Sequence, residues 1–299
     1  MPIGLTPKAA RAMMPLISVE TMALAVFPHL IPEPRFIIVI EAYLDDSGTH
    51  DGSAVIVVAG FLGSVDEWLK IVPEWQKRLK LDGLHRFRMT DCVAGRAPFD
   101  GLSEPRRNLL IDDLCSLIGA RDLLGISAAM LRADWDAVVA AEFPDILDVL
   151  DSPYYALSSS CIQQAVKHTS DRFDGKESLA IVYDCRPQDS PKQLALPGLY
   201  KAHTYWGQSI VAMTPGLSAQ FIPLQAADLF ANELYRNHVG RHNNPEAFTA
   251  HPRLVKLMRN VPLEGNFMNR DALRRQSARF RDLKRSVAEV EHTGVSHDD

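Results

Sequence analysis

The sequence predicts an α/β protein with a mixed sheet that begins with an antiparallel hairpin and carries helices on both faces. Two apolar segments near the start, residues 36–44 and 54–62, flank a turn-forming stretch rich in His, Asp, Gly and Ser. Strand-like and helix-like segments then alternate along the chain, and no internal repeat interrupts them. Such alternation is typical of a sheet covered by helices.

The first strand, residues 36–44, is rich in β-branched and aromatic side chains and leads into Asp45. The second strand, residues 54–62, is nearly all apolar, as expected when both faces are buried. A helix follows to about residue 81, because Ser64 and Glu67 form a capping box at its start. The later elements are predicted, in order, as a short strand at 84–89, a helix at 103–117, a strand at 123–131, helices at 134–141 and 153–173, a strand at 179–183, a helix from Ser190, a strand at 210–213 and a helix at 223–235.

The chain has 299 residues, a length that allows one large domain or two ordinary ones. We predict a single α/β domain with helical insertions over residues 36–285, a poorly determined N-terminal extension at 1–35 and a disordered tail at 286–299. An apolar stretch at residues 13–31 is interrupted by a glutamate, a histidine and two prolines, so it falls short of a continuous span of about 20 residues. We therefore expect no membrane partner.

Composition limits the classes of function. The net charge of −5 is not that of a protein that coats nucleic acid non-specifically, although it suits a nuclease with a local basic surface and an acidic metal site. The four cysteines form no Cys-x-x-Cys pair, which argues against a zinc site and predicts reduced, mostly buried thiols in a cytoplasmic protein. No Walker-type glycine loop, Gly-x-Ser-x-Gly elbow or His-Glu-x-x-His motif is present.

Acidic residues follow two of the predicted strands. Asp45 and Asp46 come directly after the first strand, and because adjacent strand residues point to opposite faces, only one of them can aim at a given site unless the strand has ended. Asp184 comes directly after the strand at 179–183, and ligands of α/β proteins bind beyond the carboxyl ends of strands. The alternative is that these aspartates are ordinary turn and loop residues.

A third acid lies on the last predicted helix. Gln225 and Asp228 are three residues apart and therefore share a helix face with small apolar neighbours. A charge in that setting is costly unless it is paired or bound to metal. A capping or salt-bridge role for Asp228 is the alternative. Together, acids from separate elements are what a site for Mg²⁺ or Mn²⁺ needs, because hard cations prefer carboxylate oxygens and water.

In their order and spacing these motifs resemble the bacterial and phage domain-of-unknown-function family 3800. The resemblance rests on the string Leu44-Asp45-Asp46-Ser47-Gly48-Thr49 and the string Leu224-Gln225-Ala226-Ala227-Asp228-Leu229, and it covers roughly residues 38–240. Members of that family begin with an Asp-Glu-Ser-Gly string and close with a Gln-x-x-Asp helix. The resemblance implies a ribonuclease-H-like fold and a metal-dependent, nuclease-type site.

The resemblance also implies roles for individual residues. It implies three metal ligands, from the first strand, a mid-sheet strand and the late helix: Asp45, Asp184 and Asp228. Asp46 stands where the family often has glutamate, Gln225 is expected to orient a ligand, a water or a phosphate, and His85 is similar to a histidine that is able to act as a proton shuttle. A surface position for His85 is the alternative.

Basic residues near these points suggest a surface for nucleic acid, either RNA or DNA. Arg86 and Arg88 bracket Phe87, which would combine charge with base stacking, and Arg186 follows Asp184 closely. A solvated surface is the alternative for each arginine. The leading hypothesis is therefore divalent-metal-dependent hydrolysis of phosphodiester bonds in nucleic acid. The alternative is a catalytically inactive ribonuclease-H-like binding module in a bacterial defence or phage-conflict system.

Overall fold

The computed structural model describes residues 39–50, 52–147, 152–173, 178–184 and 210–293. Its centre is a six-stranded sheet with the order β5-β4-β1-β2-β3-β6. The strands are β1 (Val39–Ser47), β2 (Val55–Ser64), β3 (Leu124–Leu131), β4 (Ser178–Asp184), β5 (Ile210–Gly216) and β6 (Leu263–Met268).

The directions of the strands place the carboxyl ends of most of them at one edge of the sheet. The β1–β2 and β2–β3 pairs are antiparallel, whereas β1–β4, β4–β5 and β3–β6 are parallel. Only β2 therefore runs against the others, and β1, β3, β4, β5 and β6 all end at the same edge. The antiparallel hairpin, the mixed sheet and the flanking helices confirm the predicted ribonuclease-H-like α/β fold.

Helices cover both faces of the sheet. The helices are α1 (Val65–Lys80), α2 (Met89–Ala94), α3 (Glu104–Gly119), α4 (Arg132–Trp135, continued by a π-helical turn at Asp136–Ala140), α5 (Pro153–Phe173), α6 (Ile222–Asn243), α7 (Pro252–Asn260) and α8 (Arg270–Thr293). Side chains of α1, α3, α6 and α7 pack in one core layer, and those of α5, α8 and the π-helical turn pack in the other. None of the helices in the described ranges is long and apolar enough to cross a membrane.

Side chains along β1 alternate between the two faces of the sheet, so they pack alternately in the two core layers. Ile40, Ala42 and Leu44 belong to the α5 layer, whereas Tyr43 belongs to the α6 layer. Because side chains alternate along a strand, Asp45 shares the face of Tyr43. The first strand thus directs Asp45 toward α6.

Several predicted elements are confirmed in detail. The Oγ atom of Ser64 accepts a hydrogen bond of 3.4 Å from the backbone N–H of Glu67, as the capping box predicts. Helix α1 continues through Pro73 to Lys80, and α5 begins at Pro153 as predicted. Proline is accommodated at the first position of α5 because the N–H there needs no helical partner.

The predicted strand at residues 84–89 is wrong. From Arg86 to Met89 its side chains alternate between exposed and buried, which imitates a strand, but the segment forms no strand and α2 begins at Met89. Two side chains of α6 take the place of a neighbouring strand, because the N–H groups of Phe87 and Met89 donate to Gln225 and Asp228.

The end of the chain also differs from expectation. Helix α6 runs on to Asn243, and α7 and β6, which the sequence patterns did not indicate, follow it. Helix α8 continues to Thr293, so residues 286–293 of the predicted disordered tail are helical. The predicted extension at 1–35 and the helix from Ser190 lie outside the described residues.

Candidate functional site

Three aspartates from separate elements face the same core layer, at the edge of the sheet that holds the carboxyl ends of most strands. Asp45 lies near the end of β1, Asp184 is the last residue of β4, and Asp228 lies on α6. In the parallel register of β1 and β4, Leu44 lies opposite Tyr183, so Asp45 and Asp184 follow side by side. Helix α6 packs over β1 and β2 and brings Asp228 to this face.

Asp45 is almost fully buried, with 6% of its surface exposed. Its Oδ1 atom accepts a hydrogen bond of 2.7 Å from the backbone N–H of Asp46. Burial raises the pKa of Asp45 well above its usual range, and the nearby charges of Asp228, Asp184 and Asp46 raise it further. The carboxyl group of Asp45 is therefore shielded from solvent and lies close to other acidic groups.

Asp228 is similarly buried, with 8% of its surface exposed. Its Oδ2 atom accepts a hydrogen bond of 2.5 Å from the backbone N–H of Met89. Burial raises the pKa of Asp228 to about 7, while the Met89 hydrogen bond and the charge of Arg88 oppose that rise. Asp228 is thus poised to gain or lose a proton near neutral pH.

Asp184 is half-buried at the end of β4. Its Oδ1 atom accepts a hydrogen bond of 2.9 Å from the backbone N–H of Ser218, in the turn before α6. Burial raises its pKa, the Ser218 hydrogen bond lowers it, the charge of Asp46 raises it and the charge of Arg88 lowers it. The net direction is upward, as for the other two acids.

Within the described ranges, no lysine, arginine or histidine forms an ion pair with any of the three acids. The exposed Arg88 is close enough to influence the pKa of Asp184 and of Asp228 without pairing with either. The described contacts therefore argue against a salt-bridge role for Asp228, whereas its hydrogen bond from Met89, the first residue of α2, is the contact that a capping role predicts. We call Asp45, Asp184 and Asp228 the acid cluster.

Asp46 lies beside the acid cluster and not within it. Strand β1 continues through Ser47, so alternation turns Asp46 toward the α5 layer, although its charge still raises the pKa of Asp45, Asp184 and Asp228. Its Oδ2 atom accepts a hydrogen bond of 2.5 Å from the Thr49 hydroxyl. Only one of the two adjacent aspartates therefore joins the cluster directly.

The predicted role of Gln225, to orient a ligand, a water or a phosphate, is not served by an exposed amide. Its side chain is fully buried, and its Oε1 atom accepts hydrogen bonds from the Trp75 indole (3.1 Å) and the Phe87 N–H (3.0 Å). Its Nε2 atom donates to the Ser218 carbonyl oxygen at 2.9 Å. The amide is thus engaged with groups of the protein itself.

The segment before α2 forms an exposed margin next to the acid cluster. His85, Arg86 and Arg88 are exposed, as a proton shuttle or a phosphate contact requires. Phe87 is not available for base stacking, because it is buried and its ring centroid lies 6.0 Å from each of those of Trp75 and Phe99. Arg186 lies outside the described residues.

Sequence patterns did not indicate how the neighbouring turn is held. Arg132, at the end of β3, donates from Nε to the Ser53 carbonyl oxygen at 3.1 Å and from a terminal nitrogen to that of Gly48 at 3.4 Å. The guanidinium group thereby fixes the turn that follows Asp45 and Asp46. An arginine directly after an apolar strand is the only signal in the sequence, and it does not identify its carbonyl partners.

The carboxylate oxygens of the acid cluster suit a hard divalent cation, but the three side chains do not form a ready-made site for one ion. Carboxylate oxygens are the groups that Mg²⁺ and Mn²⁺ prefer. Among the described residues, however, no group of three or more His, Cys, Asp or Glu side chains stands ready to hold one ion. Mg²⁺ usually takes one or two carboxylates and keeps several waters, so a preassembled three-ligand group is not required.

Comparison with known proteins adds no assignment. A search against models of protein families matches none of them, and a search of curated proteins finds no relative of the chain.

Proposed function

We propose that this protein hydrolyses phosphodiester bonds in nucleic acid, RNA or DNA, with the help of a divalent cation, Mg²⁺ or Mn²⁺. In this proposal Asp45, Asp184 and Asp228 hold the cation. The observation that carries it is a set of carboxyl groups from three elements, two of them buried and one half-buried, whose pKa values are all raised and which have no ion-pair partner among the described residues. The resemblance to domain-of-unknown-function family 3800 supports the same assignment.

The energetics of the acid cluster favour a bound cation. Burying a carboxylate away from water costs several kcal/mol or leads the group to take up a proton, unless an opposite charge compensates it. In the protein without metal, burial raises the pKa of Asp228 to about 7, so a proton supplies part of this compensation at and below neutral pH. A divalent cation would replace that proton and relieve the repulsion among the three groups.

When bound, such a cation activates a water for attack and stabilises the leaving oxygen of the phosphodiester. The protein's own groups would then position the substrate. Arg86 and Arg88 are exposed beside the acid cluster and would bind phosphate oxygens, while His85 is exposed to solvent and would exchange a proton there. This local basic margin would bind nucleic acid although the net charge of the chain is −5.

The test compares Asp45→Asn and Asp228→Asn with Glu41→Gln as a matched control. Glu41 is a buried carboxyl on the same strand and face as Asp45 but outside the acid cluster. We expect each asparagine variant to lower the rate of nucleic-acid cleavage in Mg²⁺ or Mn²⁺ by about a thousandfold or more, because it removes a charged ligand. Glu41→Gln is expected to keep the wild-type rate.

Circular dichroism and thermal melting check that the fold survives in each variant. The amide introduced by Asp228→Asn would keep an oxygen that accepts from the Met89 N–H, so we expect the fold to be retained. Cleavage that persists in both asparagine variants would remove this mechanism.

The second candidate is a ribonuclease-H-like binding module without catalysis, acting in a bacterial defence or phage-conflict system. Two observations favour it. Asp46, which stands where family 3800 often has glutamate, lies on the opposite face of β1 from Asp45, and the described residues include no preassembled group of three ligands. Metal-dependent stability distinguishes the two candidates, because a cation stabilises the folded chain only where the fold binds it.

A further inference from the structure

Gln225 lies at the centre of the hydrogen bonds behind the acid cluster. Its amide oxygen accepts from the Trp75 indole of α1 and from the Phe87 N–H, and its amide nitrogen donates to the Ser218 carbonyl oxygen. The three donor–acceptor distances lie between 2.9 and 3.1 Å, which is the ordinary range for such bonds. One side chain thus joins α1, the segment before α2 and the turn before α6.

Two of these segments supply the backbone donors of the acid cluster. Phe87 lies two residues before Met89, whose N–H donates to Asp228. Ser218, whose carbonyl oxygen binds Gln225, donates its own N–H to Asp184. Neither Phe87 nor Ser218 belongs to a helix or a strand, so no backbone ladder fixes them in place.

We propose that Gln225 is the positioning residue that sets where Asp184 and Asp228 stand relative to each other. Gln225 and Asp228 share one face of α6, three residues apart. The helix therefore carries one acid of the cluster together with the amide that orders the donors to that acid and to Asp184. As a consequence, which rests on the function proposed above, Gln225 sets the affinity of the cluster for a divalent cation.

The decisive variant is Gln225→Met, which keeps the length of the side chain and removes its hydrogen bonds. The matched control is Gln164→Met on α5, because Gln164 Nε2 donates to the Ser127 carbonyl oxygen at 2.9 Å, away from the acid cluster. Should Gln225→Met fail to fold, Gln225→Leu takes its place. Leucine is also apolar and makes none of the three hydrogen bonds.

The first measurement is amide hydrogen exchange at Met89 and Ser218. We expect roughly tenfold faster exchange at both amides in Gln225→Met, because the segments that carry these amides lose the hydrogen bonds that order them. In Gln225→Leu the same change is expected at both amides, and Gln164→Met is expected to change neither. Wild-type protection of both amides in Gln225→Met or in Gln225→Leu overturns the proposal.

The second measurement is the affinity for Mn²⁺ by calorimetry, which loss of stability alone would not alter in a folded variant. We expect about tenfold weaker binding in the Gln225 variant and wild-type binding in Gln164→Met. Faster exchange with unchanged Mn²⁺ affinity overturns the role in positioning the acids. If the wild-type protein binds no Mn²⁺, the proposed function fails, and the exchange result alone decides the positioning role.

Discussion

Another buried carboxyl, at Glu41, shows what burial does without neighbouring acids. Glu41 is 1% exposed, and its Oε2 atom accepts a hydrogen bond of 2.7 Å from the Tyr43 hydroxyl. Burial raises its pKa from 4.5 to about 7, and the Tyr43 hydrogen bond opposes the rise. At Asp45, four residues further along the same strand, three neighbouring carboxylates add to the effect of burial.

Glu41 should make the stability of the protein depend on pH. Its pKa is higher in the folded than in the unfolded chain, so its contribution to stability is fully present below pH 4.5 and is lost as the pH rises through about 7. The shift corresponds to about 3 kcal/mol. Glutamine keeps an oxygen that accepts from Tyr43 but does not titrate. In chemical denaturation, Glu41→Gln should therefore become more stable than the wild type by up to that amount between pH 4.5 and 8, and parallel pH profiles would contradict this.

At the level of single residues, the acids of the cluster could be predicted and their partners could not. Asp45 and Asp184 were identifiable because each ends an apolar strand, and Asp228 because it lies among small apolar residues. The donors that hold Asp184 and Asp228 are backbone N–H groups of Ser218 and Met89, which leave no mark in the residue types. For the same reason Gln225 was expected to face a ligand, whereas it faces the protein.

Among the elements, the β1–β2 turn determines where the first strand ends. Gly48 has a φ of 79°, and the Ser53 hydroxyl donates to the Val55 carbonyl oxygen (2.7 Å) and lies within hydrogen-bonding distance of the Tyr235 hydroxyl (3.0 Å). The contact with Tyr235 ties the turn to α6. Strand β1 and the helix that carries Asp228 are therefore held to each other just beyond the acid cluster.

Two glycines of this turn give a matched pair of variants. A Cβ at Gly48 would meet the Val55 carbonyl oxygen and lie 2.6 Å from a ring carbon of Tyr235, whereas a Cβ at Gly52 would meet nothing within 4 Å. Both glycines have positive φ values, 79° and 84°. We expect Gly52→Ala to lower the free energy of unfolding by about 1 kcal/mol through backbone strain, and Gly48→Ala by about 3 kcal/mol because a steric clash is added. Urea denaturation measures both, and equal losses would show that the contact with Tyr235 is unimportant.

Element prediction failed where tertiary contacts replace a local pattern. Residues 86–89 alternate between exposed and buried as a strand does, yet the N–H groups of Phe87 and Met89 donate to side chains of α6 instead of to a neighbouring strand. Strand β6 pairs with β3 along six residues, but the sequence pattern does not predict it. The reason is that Gly265 and Asn266 interrupt its apolar pattern. The long helices and the buried strands were predictable because burial imposes a regular period on them.

For the whole molecule, one topological fact organises the site. Since only β2 runs against the other strands, the ends of β1 and β4 meet at one edge, and acids far apart in the sequence become neighbours. The order of strands and helices was enough to predict the fold class. The distances between the acids were not predictable, because they depend on how α6 and the turns around it pack.

The acid cluster should make metal a determinant of the stability of the whole protein. Without metal at pH 8, the ionised Asp228 destabilises the folded chain, because its folded pKa of about 7 lies above its usual 3.8. Asp228→Asn is therefore expected to be at least as stable as the wild type in a chelating buffer. Mn²⁺ at a hundred times its Kd should stabilise the wild type by about 2.7 kcal/mol and leave the variant unchanged, so that the order of stability reverses. Thermal melting with Mn²⁺ or Mg²⁺, and with Ca²⁺ for comparison, measures this reversal. A wild-type melting temperature that no cation shifts would contradict the metal site and favour the binding module, since a fold without a cation site gains nothing from the ion.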